Sequence, residues 1–244
     1  MTDHLTGRVA LLTGASGGIG RALGRLLIAA GVRTAFAYGG QAEQAERLVT
    51  EAKDAGVDAI ALPGDLADPE VPARLVRRTA EALGPVDVLI PNAGIAIQLG
   101  YTDVDLDVWD RTMAINLRAP FLLARETVPG MAERGFGRVL FMSSIAAFTG
   151  GIVGPHYASS KAGLHGLVHF LASRVAGQGV TVNALAPALI EDTGMFPTIP
   201  AGVRPVPVGR FGRPEEVADL AMAILRNGYL TNQTITLDGG AHPR

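Results

Sequence analysis

A tyrosine and a lysine four residues apart, Tyr157 and Lys161, are the pair in this chain best suited to transferring a proton. They fall in a stretch of helical period, one turn apart and on one face. A free tyrosine hydroxyl, with a pKa of about 10, is a poor base at neutral pH. A neighbouring ammonium favours the phenolate and brings the group into a useful range. An i,i+4 Tyr/Lys pair also serves packing alone, so the surrounding residues must decide. Ser143-Ser144 ends an apolar run, with Ser144 thirteen residues before Tyr157, and Asn116 sits in a predicted helix beside Met113 and Ile115.

Near the start, Thr13-Gly14-Ala15-Ser16-Gly17-Gly18-Ile19-Gly20 follows an apolar run and opens a helical stretch. Glycines there let the backbone pass close to a pyrophosphate, and a helix N-terminus supplies N–H groups and a positive dipole end. The spacing of Gly14, Gly18 and Gly20 is G-x-x-x-G-x-G rather than G-x-G-x-x-G, and a purely structural strand-to-helix turn would use the same residues. An acidic side chain at the end of the second strand would accept from a ribose diol and repel a 2′-phosphate. That position holds Tyr38, then Gly39 and Gly40, with no acid before Glu43. NADPH is therefore the expected cofactor, and NADH stays open because no Arg or Lys stands beside the position.

These residues need a scaffold, and the periodicity supplies one. Strands are expected at Val9–Leu12, Thr34–Tyr38, Val57–Leu62, Val86–Ile90, Val139–Met142, Val180–Leu185 and Thr234–Leu237. Helical stripes lie between them, including Leu106–Asn116, Phe121–Ala132, a long one from His156 to Gln178, and Glu215–Arg226. The alternation predicts an α/β fold, a doubly wound, mostly parallel seven-stranded sheet with helices on both faces. In such sheets ligands bind beyond the carboxyl ends of the strands, where Gly14, Asp65, Asn92 and Ser144 all fall. No repeat or linker divides residues 1–244, so one domain is expected. Residues 190–213, rich in Pro and Gly, read as a mobile substrate loop.

Composition excludes several classes. Of 244 residues 48% are hydrophobic and 18% charged, with a net charge of −2, so there is no electrostatic footprint for nucleic acid or anionic lipid. Cysteine is absent, which removes disulfides and thiolate chemistry. No apolar run approaches a membrane span, and the start has neither the basic stretch nor the apolar length of a secretory leader. A cytoplasmic location is expected.

Taken in order and spacing, these residues resemble the short-chain dehydrogenase/reductase superfamily over essentially the whole chain, and within it the β-ketoacyl-acyl-carrier-protein reductase-like group. The resemblance rests on the glycine-rich turn, Asp65-Leu66, Asn92-Ala93-Gly94, Asn116, Ser144, Tyr157, Lys161, the run Val182 to Pro187, and Leu237-Asp238-Gly239-Gly240. It implies a Rossmann-type domain and an NAD(P)-dependent oxidoreductase acting on a 3-oxoacyl or similar carbonyl substrate. Tyr157 would be the general acid, and Lys161 would lower its pKa and hold the nicotinamide ribose. Ser144 would hold the substrate oxygen, and Asn116 a proton-relaying water. Asp65 and Leu66 would contact adenine, Asn92 would lie near the adenosine ribose, and Ile190 would reach the carboxamide, with Ser16, Ile19, Pro187 and Thr193 completing the cofactor site. The loop departs from the family pattern: Ala188 replaces a glycine, and Asp192 stands where a threonine is usual, displacing it to Thr193. The resemblance also implies a homotetramer built on the long apolar helix.

Other residues carry weaker signals. His165 and His169 have metal-compatible spacing without a third ligand, so packing is expected and no metal site. His156 is expected to face away from Tyr157, at most on the substrate rim. Trp109 reads as a core or interface residue. Phe148, Ile152, Val153, Met195 and Phe196 either line an apolar pocket or cover core. Arg134, Arg138, Arg174, Arg204, Arg210 and Arg213 are scattered along the chain rather than gathered as a docking patch for an acyl carrier. The alternatives at this point are an NAD-dependent secondary-alcohol dehydrogenase and a non-catalytic NAD(P) sensor.

Overall fold

The apolar runs become strands because both their faces are covered. In the computed structural model, which describes residues 4–193 and 206–242, all five residues of β1 (Val9–Thr13) are buried. It is joined by β2 (Arg33–Tyr38), β3 (Ala59–Pro63), β4 (Val88–Ile90), β5 (Gly137–Met142), β6 (Val180–Pro187) and β7 (Thr234–Leu237). They form one seven-stranded sheet in the order β3-β2-β1-β4-β5-β6-β7, and every pairing is parallel. Period-2 alternation divides the core in two. Ala10, Leu12, Phe36 and Leu140 point to one face, under α1 (Gly18–Ala29), α2 (Ala42–Asp54) and α8 (Pro214–Arg226). Val9, Leu11, Ala35 and Phe141 point to the other, under α3 (Val71–Leu83), α5 (Ala119–Glu133) and α7 (Pro155–Val175).

From β1 the chain winds outward through β2 and β3, then returns to lay β4 on the other side of β1. The carboxyl ends of β1 and β4 are thus the switch point, where a crevice must open because the following loops diverge. Thr13 bridges it: its Oγ1 accepts from the N–H groups of Asn92 and Ala93, each at 3.1 Å.

Several expected boundaries shift by one to three residues, β4 for example starting at Val88 and α7 ending at Val175, and three differences have a visible cause. β3 starts at Ala59, because Val57 still caps α2 through its N–H to Ala52 O. β6 runs on to Pro187, since Ala186 and Pro187 pair with Thr236 and Leu237 of β7. The region expected as two helices is one helical path, in which α4 (Leu106–Met113) passes through a π-helical turn at Ala114–Arg118 into α5. Short α6 (Ala146–Thr149) leads from β5 toward α7.

Candidate active site

At the switch point lies a cleft of about 670 Å³. Every residue expected to touch a cofactor lines it: Gly14, Ser16, Gly18, Ile19, Gly20, Tyr38, Asp65, Leu66, Asn92, Ala93, Gly94, Tyr157, Lys161, Pro187, Ile190 and Thr193. Gly14 has φ +66°, and a Cβ there would fall 2.8 Å from the Cα of Ala93. Only glycine allows that turn. The side chain of Asn92 faces the turn, its Nδ2 donating to Thr13 O at 3.0 Å and Gly14 O at 3.2 Å, so it ties β4 to the glycine-rich turn. Gly17, the N-cap of α1, has no side chain to take the first N–H groups, which leaves them for an anion in the cleft.

Along the cleft, Tyr38 ends β2, half-buried, next to Gly39 and Gly40. Asp65 follows β3, accepting from Ala67 N at 3.0 Å and meeting Arg111 of α4 at 3.4 Å. Arg111 also lines the cleft. It is a cation that sequence reasoning missed, because nothing local links it to a residue 46 positions away.

The residues expected to transfer a proton meet on the other side of β4. Tyr157 and Lys161 are buried on the first turns of α7. The Tyr157 phenol is hydrogen-bonded to Ser144, and Lys161 Nζ donates to Met142 O at 2.8 Å, 5.7 Å from the centre of the Tyr157 ring. Burial pushes the phenol up, with the Ser144 hydroxyl pulling the other way. The expected depression of this pKa by Lys161 is therefore not met in the chain by itself. The same desolvation acts on the lysine, lowering it to about 8, and its ammonium is directed at a carbonyl.

Asn116 does not line the cleft but stands one layer behind it, fully buried in the π-helical turn. Its Oδ1 accepts from Ile95 N at 2.9 Å, and its Nδ2 donates to Ile95 O at 3.0 Å and Ser160 Oγ at 3.2 Å. From this π turn the amide pairs with Ile95 edge to edge. A Cβ on Gly94 would sit 3.2 Å from Lys161 Nζ and 3.3 Å from Asn116 Oδ1, so the narrow glycine lets the two approach.

The loop leaving β6 closes the cleft. Ile190 pairs with Gly212 in an isolated parallel bridge, and Glu191 N donates to Gly212 O at 2.9 Å. Asp192 stands where the family pattern has threonine, but its φ is +53° and its side chain does not line the cleft. A left-handed residue turns the chain sharply, so the extra position is absorbed there and Thr193 is returned to the cleft wall. The interior of the expected mobile loop, with Met195, Phe196 and Arg204, lies outside the described residues.

Other expectations are corrected or located. His156 is not on a rim: it is wholly buried, with Nε2 3.0 Å from Ile97 O. His165 and His169 do not converge on a metal; they bond Ser143 and Asn232 at 2.9 and 2.7 Å, and among the described residues no three ligating side chains cluster. Ile152 and Val153 line the cleft, whereas Phe148 packs between the rings of His165 and His242. Trp109 is half-buried on α4. Of the arginines considered for docking, the described ones are engaged separately: Arg134 bonds Val86 O, Arg138 is buried, Arg174 stacks on Phe170, Arg210 pairs with Glu216 and Arg213 with Glu191. No helix among the described residues is long and apolar enough to cross a membrane.

The comparisons with known proteins agree with this geometry. Acetoacetyl-CoA reductase from Cupriavidus necator is 34% identical, over 98% of this chain and 99% of that protein. A 3-oxoacyl-[acyl-carrier-protein] reductase from Synechocystis sp. is 33% identical, over 97% of each. The crystal structure of a blue fluorescent protein from a metagenomic library, in complex with NADPH, superposes with a TM-score of 0.90 at 34% identity, covering 98% of this chain and 99% of that one. The family model described as short chain dehydrogenase matches residues 8–203. A doubly wound parallel sheet, a glycine-lined cleft at its switch point and a family match over most of the chain lead to one conclusion: the chain belongs to the short-chain dehydrogenase/reductase family of oxidoreductases.

Proposed function

We propose that this protein is an NADPH-dependent reductase that converts a neutral ketone, a 3-oxoacyl or similar carbonyl compound, to a secondary alcohol. The observation that carries the reading is the hydrogen-bonded Tyr157–Ser144 pair in the same cleft as Lys161 and the uncapped N-terminus of α1. The residues fit the dinucleotide: the α1 N–H groups and Gly14 suit a pyrophosphate, and Asp65 with Leu66 suits adenine. Tyr38, Gly39 and Gly40 oppose a 2′-phosphate with no carboxylate of their own. When bound, the cofactor would supply the hydride.

The chain's part is the proton. Tyr157 donates its phenolic hydrogen to the carbonyl oxygen as negative charge develops there, and the Ser144 hydroxyl donates a hydrogen bond to the same oxygen. Burial favours the protonated phenol, which suits an acid and hence reduction. Lys161, charged below about 8, stabilises the phenolate left behind. Asn116 holds the Ile95 segment beside Lys161, where a water would return the proton.

The substrate end of the cleft is apolar, with Ile95, Ile145, Ile152, Val153, Leu189 and Val206 on its wall. Among the described lining residues only Asp65, Arg111 and Lys161 are charged, and the first two hold each other. A neutral ketone suits that wall better than a keto acid. The relatives named above as reducing acetoacetyl-CoA and 3-oxoacyl groups support the same class. We extend the proposal to a homotetramer, since α5 and α7 expose Phe121 and Phe170. The test is a panel of ketones and secondary alcohols, including acetoacetyl-CoA and ethyl acetoacetate, assayed by absorbance with NADPH and NADH. Reduction of neutral 3-oxo compounds with NADPH is expected; oxidation of alcohols with NAD alone, or no turnover at all, overturns the reading.

A further inference from the structure

His156 is adjacent in sequence to Tyr157 but serves no step above. Its ring is wholly buried, and Nε2 lies 3.0 Å from the carbonyl of Ile97. A carbonyl only accepts, so Nε2 carries the proton. Nδ1 is buried without a hydrogen-bond partner among the described residues. An apolar ring would fill the same space with no orphaned nitrogen, so what the imidazole adds is the bond to Ile97.

That bond is half of a latch. Segment 95–99 is also held by Leu99 N donating to Val153 O at 2.9 Å. Between the two bonds lies Gly154, with φ +143°, where a Cβ would fall 2.9 Å from Leu99 O and 2.7 Å from the His156 ring. The latched segment carries Ile95, on the cleft wall, and Ala96, packed against the cluster of Ala146, Val153 and Tyr157. We infer that His156 is a positioning residue that sets the distance between the substrate-facing wall at Ile95–Ile97 and the Tyr157 hydroxyl. The inference rests on the proposed ketone reduction at this site.

The test compares His156→Phe with His156→Gln, whose side-chain amide can reproduce the Nε2 donor. His156→Phe should raise the ketone KM about tenfold and lower kcat several-fold, with the NADPH Kd unchanged, and His156→Gln should recover most of the loss. Tyr157→Phe runs alongside. If wild type reduces ketones and Tyr157→Phe does not, yet His156→Phe keeps wild-type KM and kcat, the latch is wrong and the catalytic reading stands. Equal impairment of the Phe and Gln variants also overturns it, because packing would then be the cause. Should the variants not fold, ¹⁵N-histidine spectra of the wild type decide: the latch requires the Nε2–H tautomer, and an Nδ1–H tautomer rules it out.

Discussion

Each end of the β-sheet carries a hollow, and only the carboxyl-end one gathers the candidate catalytic residues. At the amino ends of β1 and β5 a shallow depression of about 1150 Å³ is lined by Arg8, Arg33, Asp87, Phe136 and Arg138. The carboxyl-end cleft, at about 670 Å³, is the more enclosed of the two. The difference lies in how the polar groups are satisfied. At the amino end Arg138 donates to three carbonyls, those of Leu225, Gly137 and Gly179, and it shares the Phe136 ring with Arg8. Asp87 accepts from Val9 N and lies 3.5 Å from Arg134. At the carboxyl end a lysine is buried against the Met142 carbonyl, a phenol is held above its ordinary pKa, and a helix begins without a capping side chain. Arg138 is desolvated too, but its donors are spent on backbone carbonyls; a buried lysine and a raised phenol facing one cleft mark the candidate site.

The sharpest way to break this comparison is Tyr157→Phe. The ring's packing survives and the transferable proton does not, so kcat for ketone reduction should fall by about 10³-fold with NADPH affinity nearly unchanged. A variant with a tenth of wild-type turnover would remove Tyr157 from its role. The counterpart at the amino end is Arg138→Ala. It strips hydrogen bonds from three backbone carbonyls in a buried setting, so urea denaturation should register a loss of about 3 kcal/mol. Turnover per folded molecule should not change.

The third prediction concerns the buried lysine itself. A lysine lowered from 10.5 to about 8 binds fewer protons folded than unfolded between those values, so stability should rise with pH from about 8. Tyr157, raised above 10, acts with the opposite sign, but only at higher pH. The window of pH 8 to 10 is unusually clear, since Lys53 is the only other lysine in the chain. Lys161→Met should flatten the slope of unfolding free energy there, removing about 2 kcal/mol across the window. An unchanged slope means that the lysine is not held in the costly state. The smallest effect is expected at the ribose end. Tyr38→Asp introduces both a diol acceptor and repulsion of a 2′-phosphate, shifting the kcat/KM ratio about tenfold toward NADH. If the wild type already prefers NADH, Tyr38 does not face the ribose.

The parts legible in the sequence were those written in local pattern. Period-2 apolar runs located the strands, and turn residues located the carboxyl ends where Gly14, Asp65, Asn92 and Ser144 gather. What stayed hidden depends on contacts between distant segments. Met113 to Arg118 suits an α-helix as well as a π turn, and the choice is made by Asn116 pairing with Ile95, 21 residues earlier. Arg111 reaches Asp65 only because α4 folds back over the end of β3. The direction of the Tyr157 shift follows from how deeply Ala146 and Val153 bury it, which spacing does not reveal. Asp192 read as an occupant of the threonine position, because its left-handed backbone has no signature in a residue that is not glycine.

Ile190 and Gly212 sit side by side across their bridge, so the chain leaves the sheet and comes back to it through one doorway. Inside that closure Val208 N also donates to Gly239 O, just past β7, so the returning segment is held a second time. Doubling the length of such a closed segment costs only about 0.6 kcal/mol of closure entropy. Residues can therefore be added or removed between positions 193 and 206 at small cost, while Thr193, Val206, the glycine-rich turn, Tyr157 and Lys161 keep their places on the cleft wall.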